Sequence, residues 1–221
     1  MLKIQRQSPV SFAAEAIRTE EREHWNIVLE YEKEGDGPWL ADLSHRPRWD
    51  VQDGNMANLS VFGNKVPEKP NSCIYCRGTL INRMNATQAS VWHMDGEPQK
   101  PAEKAYTDTA DAGVFLALAG KYTFAIAEKL TDLDFLHPQQ KTPFLMQGPF
   151  SHVPCQIVVA DRGETGKSPF PAEKSGLILL LCSRGYARDM VHAILAAGAE
   201  FGIRPAGEDK ILHELRRIFS G

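Results

Sequence analysis

The feature that most constrains this chain is the length of its apolar runs. The most hydrophobic, Leu177 to Cys182, has the length of a strand. No run approaches the roughly 20 residues needed to span a bilayer. The N-terminus, Met1 to Val10, mixes charges with apolar residues and lacks a signal-peptide core. These features read as a cytoplasmic protein with no membrane partner. With 221 residues, the chain is long enough for one large domain or two small ones with a proper core. A formal net charge of -3 argues against nucleic acid as the main partner.

Periodicity places the elements. Ser11 to Glu23 is rich in Ala and Glu and reads as a short helix. Trp25, Ile27, Leu29 and Tyr31 alternate with polar residues and read as a strand. After the turn Glu34-Gly-Asp-Gly-Pro38, strands follow around Trp39 to Leu43 and Arg48 to Val51, giving a hairpin-rich sheet. Asp53 to Pro70 reads as a connector, and Cys73 to Ile81 and Ala86 to Met94 as two further strands. The polar stretch Asp95 to Lys104 marks a boundary. It separates an N-terminal unit, 1–98, from a C-terminal unit, 105–221.

In the second unit, Val114 to Leu118, Gln156 to Ala160 and Leu177 to Cys182 read as strands. Lys121 to Leu130 and Arg188 to Phe201 are amphipathic, the second closed by Gly202, and a last helix starts near Glu208. Strands and helices alternate without a Rossmann period. The expectation is an α+β fold of two pseudo-symmetric lobes, roughly Trp25 to Met94 and Tyr106 to Gly207, each a mostly antiparallel sheet backed by helices.

Three motifs invite chemistry and fail a physical test. Cys73-Ile-Tyr-Cys76 has the spacing of a metal or redox pair. Residues i and i+3 of a strand point to opposite faces, and a second pair is absent. Gly163-Glu-Thr-Gly-Lys-Ser168 resembles the end of a phosphate loop. Asp161 stands where the first glycine belongs, and Pro-Phe-Pro171 follows where a helix must open. The histidines show no HxxxH or HExxH spacing, and His192 lies off the apolar stripe of its helix. No metal is expected.

Three stretches, in order, resemble the T-protein of the glycine cleavage system and the aminomethyltransferases. They are Leu40-Ala-Asp-Leu-Ser-His45, Tyr106-Thr-Asp-Thr-Ala-Asp111 through Asp132, and Ala196 through Gly207. Ser44-His-Arg-Pro-Arg-Trp49, Gly148-Pro-Phe-Ser-His-Val-Pro154 and Ser183-Arg-Gly-Tyr186 are similar to the gamma subunit of heterotetrameric sarcosine oxidase. The resemblance implies the folate-binding fold of that superfamily without its C-terminal barrel.

The departures from the family decide the functional expectation. The strand Asn82 to Ser90 holds no carboxylate, where the resemblance implies a catalytic acid. The loop Asp161-Arg-Gly-Glu-Thr-Gly-Lys167 has lysine where the resemblance implies a pterin-holding glutamate, and a lysine offers donors only. Carried over residue by residue, the resemblance nominates Asn85, Gln88, Trp92, Arg162, Glu164 and Lys167 as ligand contacts and leaves no catalytic residue.

The expectation is an accessory subunit of a folate- and flavin-linked N-demethylation system, part of an oxidoreductase complex rather than a catalyst alone. It would dock on a larger flavin- and folate-binding subunit and hold no cofactor firmly. Tetrahydrofolate binding, a folate-dependent one-carbon transferase and a homo-oligomer remain the open alternatives.

Overall fold

The computed structural model describes residues 5–96, 101, 105–163 and 175–219. The chain runs through β1 (Ala16–Arg22), β2 (Trp25–Tyr31), β3 (Trp39–Asp42), β4 (Arg48–Gln52), β5 (Ser60–Val61), β6 (Asn64–Lys65), β7 (Ser72–Cys76), β8 (Thr79–Arg83) and β9 (Gln88–His93). It continues through β10 (Tyr106–Asp108), β11 (Gly113–Gly120), α1 (Thr123–Ala127), β12 (Phe144–Phe150), β13 (Val153–Asp161), β14 (Gly176–Ser183), α2 (Ala187–Gly198), β15 (Arg204–Ala206) and α3 (Glu208–Phe219).

Two sheets stack face to face. One has six strands, ordered β12-β13-β14-β11-β3-β15, and the other five, ordered β10-β4-β9-β8-β7. Neighbouring strands are antiparallel except β15 and β3. The central strands β11 and β14 are apolar at successive positions because both their faces are covered. Val114, Leu116, Leu118, Ile178 and Leu180 pack under α1 and α2 with Phe124, Ile126, Met190 and Ile194. Phe115, Ala117, Leu177 and Leu179 face the other way, onto Leu80, Trp92 and Met94 of the second sheet. The outer face of that sheet, through Trp49, Val51, Ile81 and Val91, is covered by Met56, Val61 and Val66 from the 53–70 connector. The layers are therefore helices, sheet, sheet and connector. No helix among the described residues is long and apolar enough to cross a membrane.

α1 and α2 cover the same face of the six-stranded sheet, and Ile194 is 1% exposed there. Ile194→Ala should cost about 2–5 kcal/mol, read as a shift in the urea midpoint, because it leaves a cavity under the sheet. Leu195 is only partly buried, so the same truncation there should cost less.

Several sequence expectations are corrected. Ser11 to Glu23 forms no helix; its second half is β1, paired with β2 from Ala16↔Tyr31 to Arg22↔Trp25. Most of β1 is exposed, so no apolar stripe holds a helix together. Glu23 and His24 both adopt positive φ, 47° and 71°, the geometry of a tight hairpin turn. Strand pairing overrides helix propensity here.

Cys73 to Ile81 is a hairpin rather than one strand, because Arg77 and Gly78 turn at φ 47° and 77°. A Cβ on Gly78 would lie 2.2 Å from the Asp95 carbonyl oxygen. The helix expected at Lys121 to Leu130 shrinks to α1, and the strands β5, β6, β10, β12 and β15 were not expected. β3 and β4 do not share a sheet. β3 joins the six-stranded sheet and β10 the five-stranded one, so each sheet takes a strand from across the 98–105 interval.

Candidate functional site

Two places between the layers hold convergent polar groups. They lie at opposite ends of the stacked sheets.

The first surrounds α3. Glu208 opens this helix, where a carboxylate complements the helix dipole, yet it is 1% exposed. Two arginines and a histidine from other elements converge on it. Arg46 reaches Oε1 at 2.5 Å, and His45 Nε2 meets the same oxygen. Arg22, at the end of β1, donates to Oε1 at 3.3 Å and to Oε2 at 3.1 Å. Burial alone would raise the Glu208 pKa. Hydrogen bonds and charge from His45, Arg46 and Arg22 outweigh it and bring it to about 2.

A cavity of about 450 Å³ adjoins the cluster, its wall including His93, Asp95 and Arg216. These groups are also engaged. Arg216 pairs with Asp95 at 2.7 Å, and His93 meets Thr79 Oγ1 at 3.1 Å and the Gly96 carbonyl at 2.9 Å.

The body of α3 then closes this end of the gap between the sheets. Ile211, Leu212 and Leu215 are buried in one cluster with Trp39 and Leu177 of the six-stranded sheet and Leu80, Trp92 and Met94 from the other. Phe219 stacks on Tyr75 of β7 with ring centroids 3.8 Å apart. Arg216 holds Asp95, just past β9, and Arg217 lies 3.8 Å from Asp161 at the end of β13.

The second place is a cleft of about 530 Å³ at the other end, between the start of β13 and the start of β9. Asp50, Gln88, Ser90, Gln147 and Gln156 contribute to its wall. Asp50 accepts hydrogen bonds from Gln88 at 2.7 Å and from Gln52 at 2.6 Å.

Among the described residues, the nominated Asn85, Gln88, Trp92 and Arg162 do not converge. Gln88 lines the cleft, and the exposed Asn85 donates to its Oε1 at 3.2 Å. Trp92 is wholly buried, gives its indole N–H to Ser90 Oγ at 2.7 Å and meets the Phe115 ring edge-on at 4.9 Å. Arg162 follows β13, donating to the carbonyls of His137 at 2.8 Å and Gln140 at 2.5 Å. The length of β13 sets it roughly 20 Å from the cleft. Glu164 and Lys167 lie outside the described residues.

Sequence reasoning missed Asp50 and Glu208. Asp50 stands directly opposite Ser90 on the neighbouring strand, so a carboxylate enters beside the strand that lacks one. The only sequence signal was its alternation with Arg48 on β4. Glu208 carried no signal, because its partners come from distant positions.

Comparisons with known proteins give a relative in sequence and a likeness of fold. No family model matches the chain. An aminomethyltransferase of Geobacillus thermodenitrificans (strain NG80-2) is 26% identical over 181 residues, covering 78% of this chain and 45% of that protein. The chain thus spans less than half the length of this curated relative. One chain of the heterotetrameric sarcosine oxidase from Corynebacterium sp. U-96, solved in complex with pyrrole 2-carboxylate, superposes with a TM-score of 0.56 at 16% identity. The match covers 73% of this chain and 84% of that one, a likeness of fold.

Proposed function

We propose, from a chain related in sequence to an aminomethyltransferase and in fold to a sarcosine oxidase chain, that this protein is an accessory subunit of a folate- and flavin-linked one-carbon system. It would sit on a larger flavin- and folate-binding partner in oxidative N-demethylation, without catalytic residues of its own. The heterotetrameric character of the structural relative supports a place in a multi-chain assembly.

The observation that carries this reading is α3. The resemblance assigns pterin holding to the loop that begins at Asp161. At that end of the sheets, Ile211, Leu212 and Leu215 already fill the space between the layers. Glu208, the buried acid nearby, is committed to His45, Arg46 and Arg22. An acid held by two arginines and a histidine, with its pKa brought down to about 2, is poorly suited to take a proton at neutral pH.

Titration calorimetry of the isolated protein with tetrahydrofolate tests the reading. The expected dissociation constant is above about 100 μM, against roughly micromolar for an interaction of about −8 kcal/mol. A buried pterin N–H left without an acceptor costs about 1–3 kcal/mol, and Lys167 adds a donor where an acceptor is needed. Low-micromolar binding would sink the accessory reading.

A second reading, a folate-dependent one-carbon transferase, is favoured by Asp50. It brings to the amide-lined cleft the carboxylate that Asn82 to Ser90 lacks. Micromolar binding abolished by Asp50→Asn would establish that reading instead.

A further inference from the structure

We infer that the 530 Å³ cleft between β13 and β9 is a binding site for a small alkylammonium ion, whose N–H groups are taken by Asp50 and by amide oxygens from both sheets. The strand register builds this site. Asp50, Ser90 and Asn82 stand opposite one another on β4, β9 and β8. Side chains alternate along a strand, so Asn82 shares a face with Leu80, and Ser90 with Trp92. Leu80 and Trp92 pack between the sheets, so this polar row faces the same space. Gln156 enters from the opposite sheet, two residues before Val158 on β13, which also faces that space.

Two of these groups are left wanting. Asn82 is fully buried, and among the described residues neither polar atom of its amide has a hydrogen-bond partner. The Oε1 of Gln156 is buried and unpartnered in the same way. A buried amide without partners costs stability, and native folds keep few of them. The neighbours of Asn82 on its face, Ser90 across the ladder and Met84 two residues on, both line the cleft. Asn82 therefore lies at the inner end of the cleft, where a bound donor would satisfy its oxygen.

The charge of the wall selects the donor. Asp50 accepts amide N–H groups from Gln88 and Gln52, and neither brings a positive charge to it. Among the described residues, no arginine, lysine or histidine lines the cleft. Gln147 gives its N–H groups to Asn71 Oδ1 at 2.7 Å and to the Met84 carbonyl at 2.8 Å, which leaves its own oxygen to accept. The wall thus offers one carboxylate and several amide oxygens. An ammonium group carries three donors and no acceptor, which matches that set. Hydrogen bonds from an ionised donor are also the stronger kind. Met84, Pro154 and Leu181 supply apolar wall for the alkyl carbons. A carboxylate on the ligand would find no counter-charge, so the site disfavours zwitterionic amino acids.

The test titrates the isotope-labelled, full-length protein with butylamine at neutral pH and follows its side-chain amide signals by NMR. The signals of Asn82 and Gln156 should shift together, with a dissociation constant below about 1 mM. γ-Aminobutyrate, which adds a carboxylate to the same chain, should bind about tenfold more weakly. Asp50→Asn should weaken butylamine at least about tenfold. Asn82→Leu should weaken it about fivefold while the urea midpoint holds or rises, because the orphaned amide is gone. Unmoved Asn82 and Gln156 signals, equal binding of γ-aminobutyrate, indifference to Asp50→Asn, or a lower midpoint in Asn82→Leu would each overturn the inference. So would tetrahydrofolate displacing the amine. The calorimetric affinity for tetrahydrofolate is a separate measurement, so the amine site and the accessory role can fail independently.

Discussion

Arg48→Met should lower the unfolding free energy by on the order of 4 kcal/mol, one of the largest losses expected of any single substitution here. Arg48 is fully buried and lies over the Phe115 ring, 5.1 Å from its centroid. Its guanidinium donates to the carbonyls of Arg46 at 3.0 Å and Ser44 at 3.2 Å. The other arm reaches those of Ala110 at 2.7 Å and Gly113 at 3.3 Å. One side chain thereby fastens the turn after β3 to the turn before β11. Burial lowers its pKa to about 10, partly offset by Asp42, Asp108 and Asp111, so it stays charged at neutral pH. Methionine fills much of the volume but orphans several carbonyls, each costing about 1–3 kcal/mol. Arg48→Lys should rescue little, since an ammonium lacks the planar fork that serves both turns. Urea unfolding measures both variants, and a loss under about 1 kcal/mol for Arg48→Met would refute this account.

The second large effect is expected at Glu208. Glu208→Gln should cost about 3–5 kcal/mol at neutral pH, because it leaves the buried Arg46 without its counter-charge. The pH dependence has a definite sign. The folded-state pKa is about 2, against an ordinary value of 4.5. The stabilisation is therefore whole above about pH 4.5 and fades as pH falls toward 2. The gap between wild type and variant should narrow over that window. Urea midpoints at stepped pH would show it, and a gap that persists unchanged toward pH 2 would rule out Glu208 as its source.

Much of the fold is legible in the sequence where one physical signal dominates. The continuous apolar run Leu177 to Cys182 marks a strand because both faces of β14 are covered. The stripe of Met190, Val191 and Ile194 marks α2 because its period survives averaging over three turns. β1 was illegible for the converse reason. Its residues are exposed, its composition favours helix, and only the turn at Glu23-His24 commits it to a ladder. The candidate sites were less legible still. Arg48 and Trp49 read together as strand residues. Nothing local says that Arg48 turns inward to five carbonyls while Asp50, two residues on, meets Gln88 in a cleft. Of the residues carried over by resemblance, Gln88 and Arg162 lie apart because Gln88 begins one strand and Arg162 follows the far end of another.

The exchange of β3 and β10 between the sheets has a consequence for how the chain is made. As the protein leaves the ribosome, β3 emerges early, but its neighbours β11 and β15 come much later. Until β11 follows, Trp39, Leu40 and Ala41 have no sheet to join. Neither half has a finished core alone, so the nascent chain must carry a bare apolar strand until β11, near the middle of the sequence, has been made. Such late, non-local pairing is slow and leaves sticky surface exposed. Chaperone dependence during translation, rather than fragility of the finished fold, is where this topology leaves the protein vulnerable.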